Sequence, residues 1–169
     1  VPVVPHVVCG GFTKEETENM LLDLNFMGIK NVLALRGDKL KSESIFKPEP
    51  EGHAYANELV KQIVDLRQGK YLDPELKNNT PMDFCIGVAG YPEKHSEATN
   101  PDVDLINLKK KVESGADYIV TQMFFDNQKY YDFVDRCRAA GINVPIIPGI
   151  KPLSLKNQVS VLPGIFSID

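Results

Sequence analysis

Several groups of polar residues stand where apolar runs of this chain stop, and their types are those that bind and polarise ligands. Arg36-Gly37-Asp38 ends the run Val32, Leu33, Ala34, Leu35. A strand that turns at the surface has a use for the Gly, which accepts unusual backbone angles, but it has none for the flanking Arg and Asp. The tripeptide can be read as an adhesion loop, as a surface ion pair, or as two polar groups aimed at a ligand. The adhesion reading needs a secreted protein with an exposed loop. The run that Arg36-Gly37-Asp38 ends is the second of the chain; Tyr91, Lys94 and His95 follow the third, Thr121 and Gln122 interrupt the fourth, and Lys151 closes the fifth. His6 lies inside the first run of the chain, where a core imidazole satisfied by a carbonyl is the plainer alternative. An amide between Val120 and Met123 in a buried strand requires a hydrogen-bond partner, which a ligand could supply. The run Lys109-Lys110-Lys111 reads as a solvated helix face or, near a helix start, as a phosphate holder. Met123-Phe124-Phe125 reads as packing before it reads as a platform for a flat ring.

What is missing narrows the chemistry. The sequence has no GxSxG elbow, HExxH pair, P-loop or closely spaced carboxylate pair, so hydrolysis by serine or metal has no support. Charged and amide groups around an apolar wall suit a cofactor that carries the difficult chemistry itself. Cys9, Cys85 and Cys137 are odd in number, far apart and without zinc spacing, and read as small hydrophobes in a reducing compartment, hence a cytoplasmic location. The 169 residues are 43% hydrophobic and 25% charged, with a net charge of -4, which gives no basic footprint for nucleic acid. No apolar stretch approaches the roughly 20 residues of a membrane span, and no signal-peptide pattern opens the chain. The first residue is Val rather than Met, which suggests a fragment or processed product.

The elements that must position these groups repeat five times as an apolar run, a polar turn and a stretch of helical period. The apolar runs are 2–9, 31–35, 83–90, 117–125 and 144–150, rich in Val and Ile on successive residues, as strands buried on both faces require. Thr13 and Glu16 form a capping box ahead of Met20, Leu21, Leu24 and Met27, and Gly28 stands where a helix ends. A second helix covers about 53–67. Asn100-Pro101 opens a third that closes at Gly115, and Asp126 caps a fourth that ends at Gly141. Strand–helix alternation means a parallel sheet with helices outside it, either an open doubly wound sheet or a barrel. An eight-unit barrel uses roughly 31 residues per unit, so five units need about 156, close to what is present. An open sheet would gather ligand over a Gly-rich loop at one switch point, and no GxGxxG follows any strand. A barrel gathers residues from the C-terminal ends of several strands, which is the distribution found here. An α/β fold of the barrel kind is therefore favoured over an open sheet, with 1–169 as a single domain.

Four motifs in fixed order, "LRGD", "VAGYPEKHSEA", "GADYIVTQMFFD" and "VPIIPGI", closely resemble the methylenetetrahydrofolate reductase family, from the first residues to about Pro152. The resemblance implies the central part of a flavin-bearing (β/α)8 TIM barrel, present here as a partial barrel of about five βα units. It implies that NAD(P)H reduces FAD and leaves, and that methylenetetrahydrofolate takes its place and becomes 5-methyltetrahydrofolate, in one-carbon metabolism and methionine synthesis. Carried over residue by residue, the FAD contacts fall on His6, Arg36, Gly37, Asp38, Ala56, Tyr91, His95, Asp104, Asn107, Lys110 and Lys111. The lysines become partners of the pyrophosphate. Asp38 and Gln122 would also face the pterin and carry the catalysis, with no metal. The same resemblance implies a homo-oligomeric parent.

There are departures. The family's general acid, a Glu on its first strand, has no counterpart here, because strands one, two and eight are not matched. The chain by itself is expected not to reduce folate. Val8 stands where the family usually has Thr, and Lys156 near a folate-covering aromatic. The competing readings are another FAD-dependent TIM-barrel oxidoreductase of the proline-dehydrogenase type, or a non-catalytic flavin- or ligand-binding fragment. Reduction of bound flavin by proline would select the first. Protein that stays colourless with added FAD would select the second.

Overall fold

The computed structural model describes residues 3–39, 43, 45–77 and 79–166. Its strands are β1 (His6–Val8), β2 (Asn31–Leu35), β3 (Cys85–Gly90), β4 (Tyr118–Thr121) and β5 (Ile146–Ile147). They alternate with α1 (Lys14–Phe26), α2 (Ala56–Arg67), α3 (Pro101–Glu113), α4 (Asn127–Ala139) and α5 (Gln158–Phe166). Every pair is parallel and the order in the sheet is β1-β2-β3-β4-β5. A doubly wound sheet reverses its order at a switch point, and this one does not. It is the wall of a TIM-type barrel, with β1 and β5 as its edges.

The hydrophobic pattern explains the layers. Val32, Ala34, Ile86, Val88 and Ile119 are fully buried, and neighbouring residues of β2 and β3 are buried in succession. On α2 the stripe Leu59, Val60, Ile63 and Leu66 is fully buried against the sheet, following the helical period. Tyr118 crosses the face of β3, its hydroxyl donating to the Val32 carbonyl at 3.3 Å, and a side chain at Gly87 would run into its ring. Toward β5 the cover thins, and Ile147 and Ile150 are 46% and 80% exposed.

The helix ends follow their local chemistry. The Thr13 hydroxyl accepts from the Glu16 N–H, and Glu16 accepts in return from the Thr13 N–H, which completes the capping box. Asn100 Oδ1 accepts from the N–H groups of Asp102 and Val103 with Pro101 at the first helical position, and Asp126 accepts from Gln128. Gly28, Gly115 and Gly141 end helices with positive φ. The strands are shorter than the apolar runs suggest, most clearly 117–125 and 144–150, because the ladder stops where the chain turns over the rim. No helix among the described residues is long and apolar enough to cross a membrane.

Cys9 and Cys137 are buried, and burial pushes their thiols up to about 12 and about 11, so both are inert. Cys85 departs from the expected burial: it is only partly covered at the start of β3, with its pKa also raised, chiefly by desolvation.

Candidate functional site

In a parallel sheet of this order the carboxyl ends of all strands form one rim, and the loops after β2, β3 and β4 bring the sequence candidates to it. Gly37 turns the chain out of β2 with φ of 87°, an angle open to Gly at little cost. On either side of it, Arg36 stays half-buried and Asp38 is exposed.

Arg36 meets Glu97 fork to fork, Nη1 donating to Oε2 at 2.7 Å and Nη2 to Oε1 at 2.6 Å. The Phe46 ring lies 4.9 Å from the guanidinium carbon and covers one face of it. This hydrogen bond raises the Arg36 pKa and lowers that of Glu97. With side chains 21% and 50% exposed, the pair contributes roughly 0–1 kcal/mol to stability, so its consequence is orientation more than strength. The ion-pair reading of Arg36 and the ligand reading are thus not exclusive, but the partner is Glu97 rather than Asp38.

The loop after β3 is tied down from several directions. The His95 N–H donates to Asp104 Oδ2 at 3.0 Å, and the Glu97 N–H donates to His95 Nδ1 at 3.1 Å. A ring nitrogen that accepts has no proton, so neutral His95 carries its proton on Nε2. Burial, followed by the charge of Arg36, holds its pKa below the usual histidine value. Tyr91 meets His95 edge to face at 4.7 Å, and its phenol is pushed up to about 12 by burial and then by the charges of Asp104 and Asp38. Lys94 adopts a φ of 129° and donates to the carbonyls of His95 and Ala98 at 3.1 and 2.7 Å, closing the loop on itself.

The lysine run divides. Lys109 pairs with Glu113 on the helix surface at 3.9 Å, and Lys110 is exposed. Lys111 turns inward, donates to the Ala89 carbonyl and lies 5.9 Å from the centre of the Tyr91 ring. Desolvation lowers its pKa to about 8 against the opposing pull of Asp104. Asn107 is exposed on α3, Ala56 opens α2, and His6 is an exposed edge residue at the start of β1.

Gln122 lies just beyond β4 and is partly exposed, not inside a buried strand. Its main-chain N–H extends the ladder to the Gly90 carbonyl at 2.8 Å, and its Oε1 accepts from the Met123 N–H at 3.0 Å. The hydrogen-bond partner expected for the amide is thereby found within the chain, at its Oε1. Thr121 is buried, its hydroxyl accepting from the Gly149 N–H at 3.0 Å. Phe124 stacks on Tyr130 at 5.1 Å, which is packing as expected, while Phe125 is 44% exposed. Lys151 is exposed after β5.

Arg36, Tyr91, His95 and Asp104 are linked through Glu97 and their direct contacts, and the charge of Asp38 acts on Arg36 and Tyr91. Glu97 and Phe46 join them without any signal in the spacing of the sequence, although Glu97 lies inside a motif with recognisable polar content. Together the sheet and this rim define an α/β-barrel protein with its candidate site at the carboxyl ends of the strands. The sequence profile described as methylenetetrahydrofolate reductase matches residues 1–168, and the chain belongs to that family. It is 42% identical over 148 residues to "Methylenetetrahydrofolate reductase 1" of Schizosaccharomyces pombe, covering 88% of this chain and 22% of that protein. The "5,10-methylenetetrahydrofolate reductase" of Escherichia coli is 41% identical over 150 residues, covering 89% of this chain and 44% of its own. "Methylenetetrahydrofolate reductase (NADH) 1" of Arabidopsis thaliana is 40% identical over 163 residues, covering 91% and 25%. The chain spans less than half the length of each of these relatives.

Proposed function

We propose that this chain is part of a flavin-dependent methylenetetrahydrofolate reductase, in which NAD(P)H reduces FAD and reduced FAD converts methylenetetrahydrofolate to 5-methyltetrahydrofolate. The observation that carries the reading is the family match over residues 1–168. The gathering of Arg36, Asp38, Tyr91, His95 and Gln122 on one rim supports it.

The donor set suits a flavin dinucleotide. The N–H groups of Arg36 that Glu97 leaves free, Nε2–H of neutral His95, the Asn107 amide and the ammonium of Lys110 offer hydrogens to ring carbonyls, hydroxyls and phosphate oxygens. At Gly37 the absence of a side chain lets the main chain lie close to a flat ring. His6, Ala56, Tyr91 and Asp104 complete the proposed contacts, Asp104 by holding the His95 main chain in place. Lys111 supports the Ala89 carbonyl at the end of β3 and stands beneath Tyr91. FAD, when bound, would supply the hydride chemistry, taking two electrons from the nicotinamide and returning them to the folate.

Asp38 has the role that charge dictates. Opening the imidazolidine ring of methylenetetrahydrofolate creates a 5-iminium cation, and a nearby carboxylate stabilises positive charge as it develops. Asp38 is exposed on the rim, where its carboxylate can face a pterin. The Gln122 NH2, with Oε1 already held by Met123, would donate to the edge of the same ring.

Asp38→Asn in the full-length protein tests this. With flavin retained, folate reduction should fall by a factor on the order of 10² while reduction of the flavin by NAD(P)H changes far less. Folate reduction at the wild-type rate with flavin bound would overturn the role of Asp38.

A further inference from the structure

We propose that Glu97 is a positioning residue of the flavin site, which fixes Arg36 as a charge-compensated hydrogen-bond donor for an uncharged part of the cofactor. The inference rests on the flavin reading above. A guanidinium carries five N–H groups in a rigid planar fork. Glu97 takes one from each terminal nitrogen, at 2.7 and 2.6 Å, and the Phe46 ring covers one face. What remains is the edge that bears Nε and the outer N–H directions. The long side chain is thus ordered before a ligand arrives, and the ligand does not bear the entropic cost of immobilising it.

The carboxylate meets the guanidinium through two hydrogen bonds, so the pair has no net charge. Toward a phosphate its attraction is that of a dipole, which falls off faster with distance than that of a free cation. Toward a ring carbonyl or a ribityl hydroxyl the N–H groups are weaker donors than those of a free cation, but they keep the fixed direction that an uncharged acceptor selects. Glu97 also donates its main-chain N–H to His95 Nδ1, so one residue sets both the Arg36 fork and the Nε2–H tautomer of the imidazole. The two donors that face the cofactor are organised from a single position in the loop after β3.

The test uses the full-length protein, titrated with FAD and with riboflavin, which lacks phosphates, at low and high sodium chloride. Glu97→Gln frees the Arg36 charge and loosens its fork. Riboflavin affinity should fall about tenfold or more, and FAD affinity should become more salt-sensitive than in the wild type. A residue that served only stability would leave the salt dependence unchanged. Where Glu97→Gln folds poorly, Arg36→Lys is the second variant: it keeps the charge and loses the fork, and both ligands should weaken by the same factor. Wild-type affinities and salt dependence in Glu97→Gln, or wild-type affinities in Arg36→Lys, overturn the inference and leave the flavin reading standing. A wild-type protein that binds neither FAD nor riboflavin overturns the flavin reading and this inference with it.

Discussion

The hydroxyl of Thr121 accepts a hydrogen bond from the main-chain N–H of Gly149 at 3.0 Å, joining the end of β4 to the segment that follows β5. The two backbones approach so closely that a side chain at Gly149 would land on the Thr121 carbonyl oxygen. This contact holds a strand of only two residues against its neighbour, next to Gln122 on the rim. Gly149→Ala should therefore push β5 outward and cost about 1–3 kcal/mol, the usual penalty of overpacking. Chemical denaturation would measure it, and an unchanged midpoint would mean that the two backbones do not meet this closely.

Asn100 offers a second, independent handle. Its Oδ1 satisfies the N–H groups of Asp102 and Val103 at the start of α3, the helix that carries Asp104, Asn107, Lys110 and Lys111. Asn100→Ala should reduce stability by about 1 kcal/mol through loss of the cap. Asn100→Asp, which can still accept both hydrogens, should restore it in the same unfolding measurement.

His95 should titrate below the usual histidine value, since burial and Arg36 both disfavour its charged form. A folded-state pKa below the unfolded one means that the unfolded chain takes up the proton first as pH falls. Stability from this group is thus complete above about pH 6.5 and declines as pH drops through that value toward the folded pKa. Nitrogen-15 NMR at pH 7 should find a neutral ring with its proton on Nε2. A ring that is charged at pH 7, or protonated on Nδ1, would contradict the hydrogen bond from Glu97.

Lys111 works in the opposite part of the pH scale. Its pKa is lowered to about 8 by desolvation, against 10.5 for the free side chain. Between those values the unfolded chain holds the proton and the folded chain does not, so raising the pH favours folding. The stability of the wild type relative to Lys111→Met should increase from pH 8 to about 10.5 and level off on either side. A difference that is flat over that window would mean the ammonium is better solvated than its place under Tyr91 implies.

What could be read from the residues alone divides along the distance over which each interaction acts. The cap formed by Thr13 and Glu16, the Asn100-Pro101 start and the terminal glycines are settled within a few positions, and the structure repeats them. The barrel wall was legible because successive apolar residues with intervening helices leave few parallel arrangements. The ends of the strands were less so. A run such as 117–125 continues apolar past Thr121 because Phe124 packs on Tyr130 of α4, not because the ladder goes on. The partner of Arg36 was out of reach, since Glu97 lies 61 positions away and meets it only through the register of β2 and β3. The division of the lysine run was hidden for a related reason. Which of three neighbouring side chains turns inward depends on the rotation of α3 against β3. The rim residues named from the family motifs were recognisable as a set, while their mutual contacts were not.

The order of the strands also bears on how the chain comes into being. Each strand after the first pairs with the one made just before it. During synthesis, a newly emerged strand therefore finds its partner one βα unit away and never has to reach across an earlier one. The chain entropy lost in each closure depends only weakly on loop length, so adding a unit costs about the same at every step. Such a wall can grow by accretion from its N-terminal side, and the Arg36–Glu97 contact becomes possible only once the loop after β3 has emerged.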